Sequence, residues 1–178
     1  LKVLDSVADK PLRRADLLRQ VGQIEFLRNN HQNALNYFNQ ALEIYKAEED
    51  NVYQGNVLND IGKAYYQLRN YDAAEDVLQE GLLLARKHSI ADTEGIALMN
   101  LGKVMIEKGD FDKALEFLEA SLVIHQENNI KSNILEAQNE IGRAYLVMNQ
   151  AGRAIPFLDK TLMSDSDEGM INEFKNAY

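Results

Sequence analysis

Residues 57–82 read VLNDIGKAYYQLRNYDAAEDVLQEGL. In the first half, the apolar residues Val57, Leu58, Ile61, Ala64, Tyr65 and Leu68 recur at intervals of three and four, the period of an amphipathic helix. The pair Arg69-Asn70 interrupts this pattern, and Ala73, Ala74, Val77, Leu78 and Leu82 then mark one face of a second helix. A break this short makes the two helices an antiparallel pair. The pair is not alone. Gly22, Gly62, Gly102 and Gly142 lie 40 residues apart, and so do Ala34, Ala74, Ala114 and Ala154. Before each glycine stands Val21, Ile61, Leu101 or Ile141; four residues after each alanine stands Phe38, Leu78, Leu118 or Leu158. A small residue follows at Ala41, Gly81, Ser121 and Thr161. Columns that hold register through four copies define a repeat, and a repeat decides the fold.

Each glycine sits inside a helix, where it costs about 1 kcal/mol relative to alanine. Close approach of the second helix accounts for it: a position without a side chain lets the two backbones near one another, with the Ala34 and Ala41 columns completing the contact. The breaks read Asn29-Asn30, Arg69-Asn70, Gly109-Asp110 and Asn149-Gln150. Asn and Gly accept the left-handed conformation that ends a helix, and Asn or Asp caps the next one.

Leu58, Ile61-Gly62, Tyr65, Ala74, Leu78 and Gly81 resemble the tetratricopeptide repeat (TPR) pattern, and so do Leu98, Leu101-Gly102, Met105, Ala114, Leu118 and Ser121. The resemblance extends over essentially the whole chain. It departs at Glu25, where an aromatic is usual, at Gln138, where a large apolar residue is usual, and in a period of 40 residues rather than about 34. It implies an all-α, right-handed TPR-type superhelical solenoid of antiparallel helix pairs. The expected organisation is a single solenoid over 1–178. It comprises a tail helix of a preceding repeat at 1–9, repeats at 11–48, 51–88, 91–128 and 131–166, and the first-helix start of a truncated fifth repeat at 168–178. Both termini then fall inside a repeat, as expected for a piece of a longer protein.

Composition narrows the function. With 19 Lys+Arg against 28 Asp+Glu the net charge is −9, which opposes duplex nucleic acid and anionic membrane surfaces alike. No apolar run approaches the roughly 20 residues of a bilayer span. The absence of cysteine removes disulfides, thiolate metal sites and thiol catalysis. A cytoplasmic location is expected, with a periplasmic sensor region as the alternative. His31, His88 and His125 fall in a turn and near the ends of two second helices, without metal-ligand spacing, and read as surface histidines. Asp165–Gly169 lacks the ligand set of a calcium loop and reads as a solvated acidic connector. Pro156, early in the last second helix, reads as a local irregularity. No nucleotide-binding or nucleophile motif is present, so neither an enzyme nor a cofactor is expected.

The resemblance places ligands on a concave wall lined by the first helices. Its columns, three before, one after and four after each glycine, read Arg19, Asn59, Met99, Asn139; Gln23, Lys63, Lys103, Arg143; and Phe26, Tyr66, Ile106, Leu146, with Asp60, Asn100 and Glu140 beside them. The expected binding residues are Arg19, Gln23, Phe26, Asn59, Lys63, Tyr66, Asn100, Lys103, Asn139 and Arg143. Three successive repeats place a cation in one column; the plain alternative is that Lys63 and Lys103 pair with Asp60 or Glu107 on their own helices. The columns do not match the carboxylate-clamp subclass, since the Lys and Asn positions are exchanged. The expected function is a non-catalytic module binding a protein or peptide segment, with acidic or C-terminal segments as fitting occupants. It would be the sensory or scaffolding region of a larger bacterial signalling protein, for example ahead of a diguanylate cyclase or histidine kinase output domain. The alternatives are a self-associating structural spacer, joined through exposed repeat ends, and a peptide-pheromone-sensing regulator domain.

Overall fold

The computed structural model describes residues 10–158. The expected tail helix at 1–9, the end of the fourth repeat with Thr161 and the Asp165–Gly169 connector, and the fifth-repeat segment at 168–178 lie outside the described residues.

Helices α1 (Pro11–Leu27), α2 (His31–Ala47), α3 (Asn51–Gln67), α4 (Tyr71–His88), α5 (Ala91–Lys108), α6 (Phe111–Glu127) and α7 (Lys131–Val147) follow one another with short joints, and residues 151–158 form α8. The described residues contain no strand. Each helix packs on its chain neighbours, and the first helices α1, α3, α5 and α7 also touch in succession, whereas the second helices contact chiefly first helices. This is an all-α solenoid of antiparallel pairs.

The joints share one geometry. The residue after the left-handed position donates its N–H to the carbonyl five residues back, as in Asn30 to Glu25 (2.9 Å), Asn70 to Tyr65 (3.0 Å) and Asp110 to Met105 (3.0 Å). Asn29, Asn149 and Gly109 take the positive φ, which Asn and Gly accept readily, but so do Arg69, Glu49 and Ser89. The surrounding packing therefore imposes the conformation on residues with no preference for it. Asp50, Asn70 and Asp110 cap the following helices through their side chains, while Asn30 does not. Instead Asn30 Nδ2 donates to Glu25 Oε2 at 2.9 Å, and Arg28 donates to Glu25 Oε1 at 3.2 Å. This explains Glu25 at the aromatic column: it ties down its own turn, and the Asn30 bond holds its carboxyl below the usual carboxylate range.

The glycine column is a set of notches. A Cβ built on Gly102 would stand 2.5 Å from Leu118 Cγ and 3.2 Å from the Ala114 carbonyl oxygen. On Gly22 it would stand 2.5 Å from Phe38 Cε1, and on Gly142 2.6 Å from Leu158 Cδ2; Leu78 fills the space over Gly62 in the same way. The expected backbone approach is thus corrected in part. The nearest atoms belong to the large apolar side chain of the Phe38 column, and the alanine carbonyl comes second. Gly55 and Gly95 form a further pair of notches, filled by Thr93 (2.6 Å) and His125 (2.6 Å).

His125 corrects the surface reading. It is fully buried over Gly95, and neither ring nitrogen has a hydrogen-bond partner. Burial lowers its pKa below the ordinary histidine value, against the opposing pull of Asp92 and Glu136. A folded pKa below that of the unfolded chain means that the unfolded state binds the extra proton first. Stability from this site is therefore complete above about pH 6.5 and falls as the pH drops through that value. We expect the midpoint of urea unfolding to decrease between pH 7 and 5.5, and His125→Leu to flatten that part of the profile. An unchanged slope in His125→Leu would assign the acid sensitivity to other groups.

Candidate functional site

The first-helix wall divides into two groups of side chains. In the first group, Asp60 on α3 accepts from Arg19 Nε at 2.8 Å and from Gln23 Nε2 at 3.3 Å, both on α1, while Lys63 Nζ stands 4.0 Å from its other oxygen. Gln23, Asp60 and Lys63 also rim a pocket of about 300 Å³ whose apolar lining comes from Phe26, Leu27 and Phe38. The same Phe38 fills the Gly22 notch, so the packing of the repeat positions the pocket floor. Phe26 is held from the side by an edge-to-face contact with His31, ring centroids 5.0 Å apart.

In the second group, Glu107 on α5 accepts from Arg143 Nη1 at 2.8 Å, from Tyr66 Oη at 3.2 Å and from Tyr71 Oη at 3.4 Å. Arg143 also donates from Nε to Glu140 at 2.7 Å. Lys103 pairs with Glu136 and stands 3.8 Å from Glu140. The Arg143 hydrogen bond holds Glu107 below the usual carboxylate range. Four cations of the wall thus meet carboxylates, in most cases of the adjacent repeat rather than of their own helix. The expected cationic stripe is corrected to a charge ladder that joins neighbouring first helices.

Arg19, Gln23, Phe26 and Lys63 come together in the first group, and Tyr66, Lys103 and Arg143 in the second. Asn59 and Asn100, expected on the wall, are buried within the stack instead. Asn59 Nδ2 donates to the Thr93 carbonyl of the next repeat at 3.2 Å and so serves the joint between repeats. Met99 and Ile106 are buried too, their helix α5 lying between the first helices α3 and α7, while Leu146 is exposed and Asn139 half-buried. Leu27, which the column pattern omits, lines the pocket and is largely exposed. The only signal for it was an apolar residue in a column of mixed character, with Gln67, Glu107 and Val147 at the equivalent positions.

The ladder has a testable consequence. Changing Lys63, Lys103 and Arg143 together to Glu sets new carboxylates beside Asp60, Glu107, Glu136 and Glu140. Each partly exposed pair is worth only about 0–1 kcal/mol, but reversal adds repulsion at every rung. A fall of several degrees in the thermal midpoint is expected, partly relieved by salt, whereas Lys113→Glu on α6 should shift it little. A midpoint unchanged by the triple reversal would deny the ladder any role in stability.

Tetratricopeptide repeat profiles match residues 13–87 and 59–129, together most of the described chain. The chain is a tetratricopeptide repeat protein. No curated protein matches this TPR sequence. Among solved structures it is similar to aspartyl phosphate phosphatase F from Bacillus subtilis, at 17% identity and a TM-score of 0.80 over 90% of this chain and 42% of that one. It is also similar to a Rap protein complexed with competence and sporulation factor, at 20% identity and 0.80, over 88% of this chain and 44% of that one. The Rap conjugation gene regulator of plasmid pLS20 in complex with the Phr* peptide is similar at 18% identity and 0.81, over 93% and 46%. The TPR chain spans less than half the length of these proteins. Among its described residues, no helix is long and apolar enough to cross a membrane, and no group of three or more His, Asp or Glu is arranged to hold a metal ion.

Proposed function

We propose that this TPR protein is a non-catalytic module that takes an extended segment of another protein along its first-helix wall, as the sensory or scaffolding region of a larger signalling protein. One observation carries this reading. The wall holds a pocket with an apolar floor of Phe26, Leu27 and Phe38 and a polar rim of Gln23, Asp60 and Lys63, the combination that seats one side chain and orients the backbone beside it. The similar Rap regulator in complex with the Phr* peptide supports a peptide as occupant. Peptides selected from a random library on the parent protein should lose at least tenfold in affinity for Leu27→Glu, which brings a charge to the mouth of the pocket without touching the core. They should bind Lys113→Glu as the parent. Equal binding to Leu27→Glu would move the site off this wall.

A second reading is end-to-end self-association. Leu17, Val21 and Ile24 on α1 are 36%, 38% and 49% exposed, whereas their counterparts Val57, Ile61, Ala64 and Ala97, Leu101, Val104 are buried under the second helix of the preceding repeat. Light scattering over a range of concentrations separates the two readings, since only self-association requires a mass that grows with concentration.

A further inference from the structure

The apolar stripe that α1 leaves uncovered is bounded by cations. At 3.6 residues per turn, Arg13, Arg14, Leu17, Val21, Ile24 and Arg28 fall on one face of the helix about 100° wide, with Lys10 just ahead of it. The two acidic residues of α1 are taken: Asp16 accepts from Tyr45 Oη at 2.6 Å, and Glu25 accepts from Asn30 and Arg28. Lys10, Arg13 and Arg14 are exposed and meet no carboxylate among the described residues. This is a basic end on a chain of net charge −9, and the later first helices lack it: Tyr53-Gln54, Thr93-Glu94 and Asn133-Ile134 stand where α1 has Arg13-Arg14. The inner repeats show what such a stripe receives. Val57 and Ile61 on α3 share a core cluster with Leu35 and Leu42 of α2, and Leu101 and Val104 on α5 share one with Leu78 and Leu82 of α4. In both cases the occupant is a helix whose last turn lies over the column of Arg14. There Gln54 donates to the Tyr45 carbonyl of α2 at 3.1 Å, and Glu94 accepts from Arg86 Nε of α4 at 2.8 Å. Arginine in place of Glu94 at this column inverts the charge required of the occupant.

We propose that the Leu17–Val21–Ile24 stripe of α1 is a docking surface for an acidic amphipathic helix of a partner protein, seated as α4 is seated on α5 and ending with Asp or Glu over Arg14. The surface is separate from the peptide-binding wall, and the proposal does not depend on that reading. Burial of large apolar residues of the partner against the stripe supplies the affinity. Carboxylates in the partner's last turn, meeting Arg13 and Arg14, set its direction and register and speed encounter. The two guanidinium groups also complement the negative C-terminal end of a helix seated in this sense. A second copy of the chain meets the surface less well. The second helix that its far end offers carries Arg153 and no acidic residue among residues 151–158, which leaves the cations of α1 unmatched.

The test uses two synthetic peptides with the sequence of residues 70–88, one unchanged and one carrying Arg86→Glu and Lys87→Glu. Each is titrated into the full chain with isotope-labelled Leu, Val and Ile methyl groups. The acidic peptide should move the methyl resonances of Leu17, Val21 and Ile24 and bind about fivefold more tightly than the unchanged one. On the Arg14→Glu protein the order should reverse, because Arg86 then finds the carboxylate it has at Glu94. Val21→Asp should abolish binding of both peptides while keeping the parent's thermal midpoint, since Val21 is 38% exposed. The docking surface is overturned if neither peptide moves these three residues, or if Val21→Asp binds as the parent does. An order of affinities that Arg14→Glu leaves unchanged would overturn the acidic character of the partner. A mass of the protein alone that grows with concentration, and stops growing in Val21→Asp, would give the stripe to a second copy and overturn the partner assignment.

Discussion

Gly102→Leu is expected to unfold the protein several degrees below the parent. The notch over Gly102 is already full: a bare Cβ would stand 2.5 Å from Leu118 Cγ and 3.2 Å from the Ala114 carbonyl oxygen, and Leu118 and Ala114 are both fully buried. A leucine brings three more carbons into that space, and relief requires α6 to move away from α5. That displacement would also strain the contacts of α6 with α7. Overpacking of this kind costs about 1–3 kcal/mol and more where backbone lies in the way, and each kcal/mol lowers the midpoint of a chain this size by about 2–4 °C. The better helix propensity of leucine returns less than about 1 kcal/mol. Thermal unfolding followed by circular dichroism reads the result directly. A midpoint within error of the parent would show that the glycine column is not held by packing.

Leu118→Ala tests the same notch from the opposite side. It empties a fully buried site between α5 and α6, and such truncations cost about 2–5 kcal/mol. The informative measurement is the cycle with Gly102→Ala. In the parent, alanine at 102 drives its methyl into Leu118 and destabilises. In the Leu118→Ala background the methyl enters vacated space, and the helix gains the roughly 0.8–1 kcal/mol by which alanine exceeds glycine. The sign of Gly102→Ala should therefore reverse between the two backgrounds, a coupling of about 1–3 kcal/mol. Additive effects would mean that Leu118 is not what requires a glycine at 102.

The alternation of helix and break, the 40-residue period and the core columns could all be read from residues such as Ile61, Gly62, Ala74 and Leu78, because each repeats the same local contact and periodicity records local geometry. The pocket was partly legible: Gln23, Phe26 and Lys63 lie in columns that first helices present away from their partners. Leu27 was missed because its column, Leu27, Gln67, Glu107 and Val147, has no single character, and a column argument passes over such positions. His125 was misread because its burial depends on Gly95, a small residue on another helix, and the Ala15–Gly55–Gly95 column is broken by Leu135.

Asn59 and Asn100 mark the boundary between the two kinds of information. Helical period assigns a residue to an angle around its own axis, and from the sequence alone that determined which residues meet the partner helix within a repeat. It does not determine how far the next repeat rotates and slides, because that offset is set by the sum of many contacts between α2 and α3, α4 and α5, and α6 and α7. Only the tertiary structure decided which wall residues the neighbouring repeat covers and which carboxylate each cation reaches.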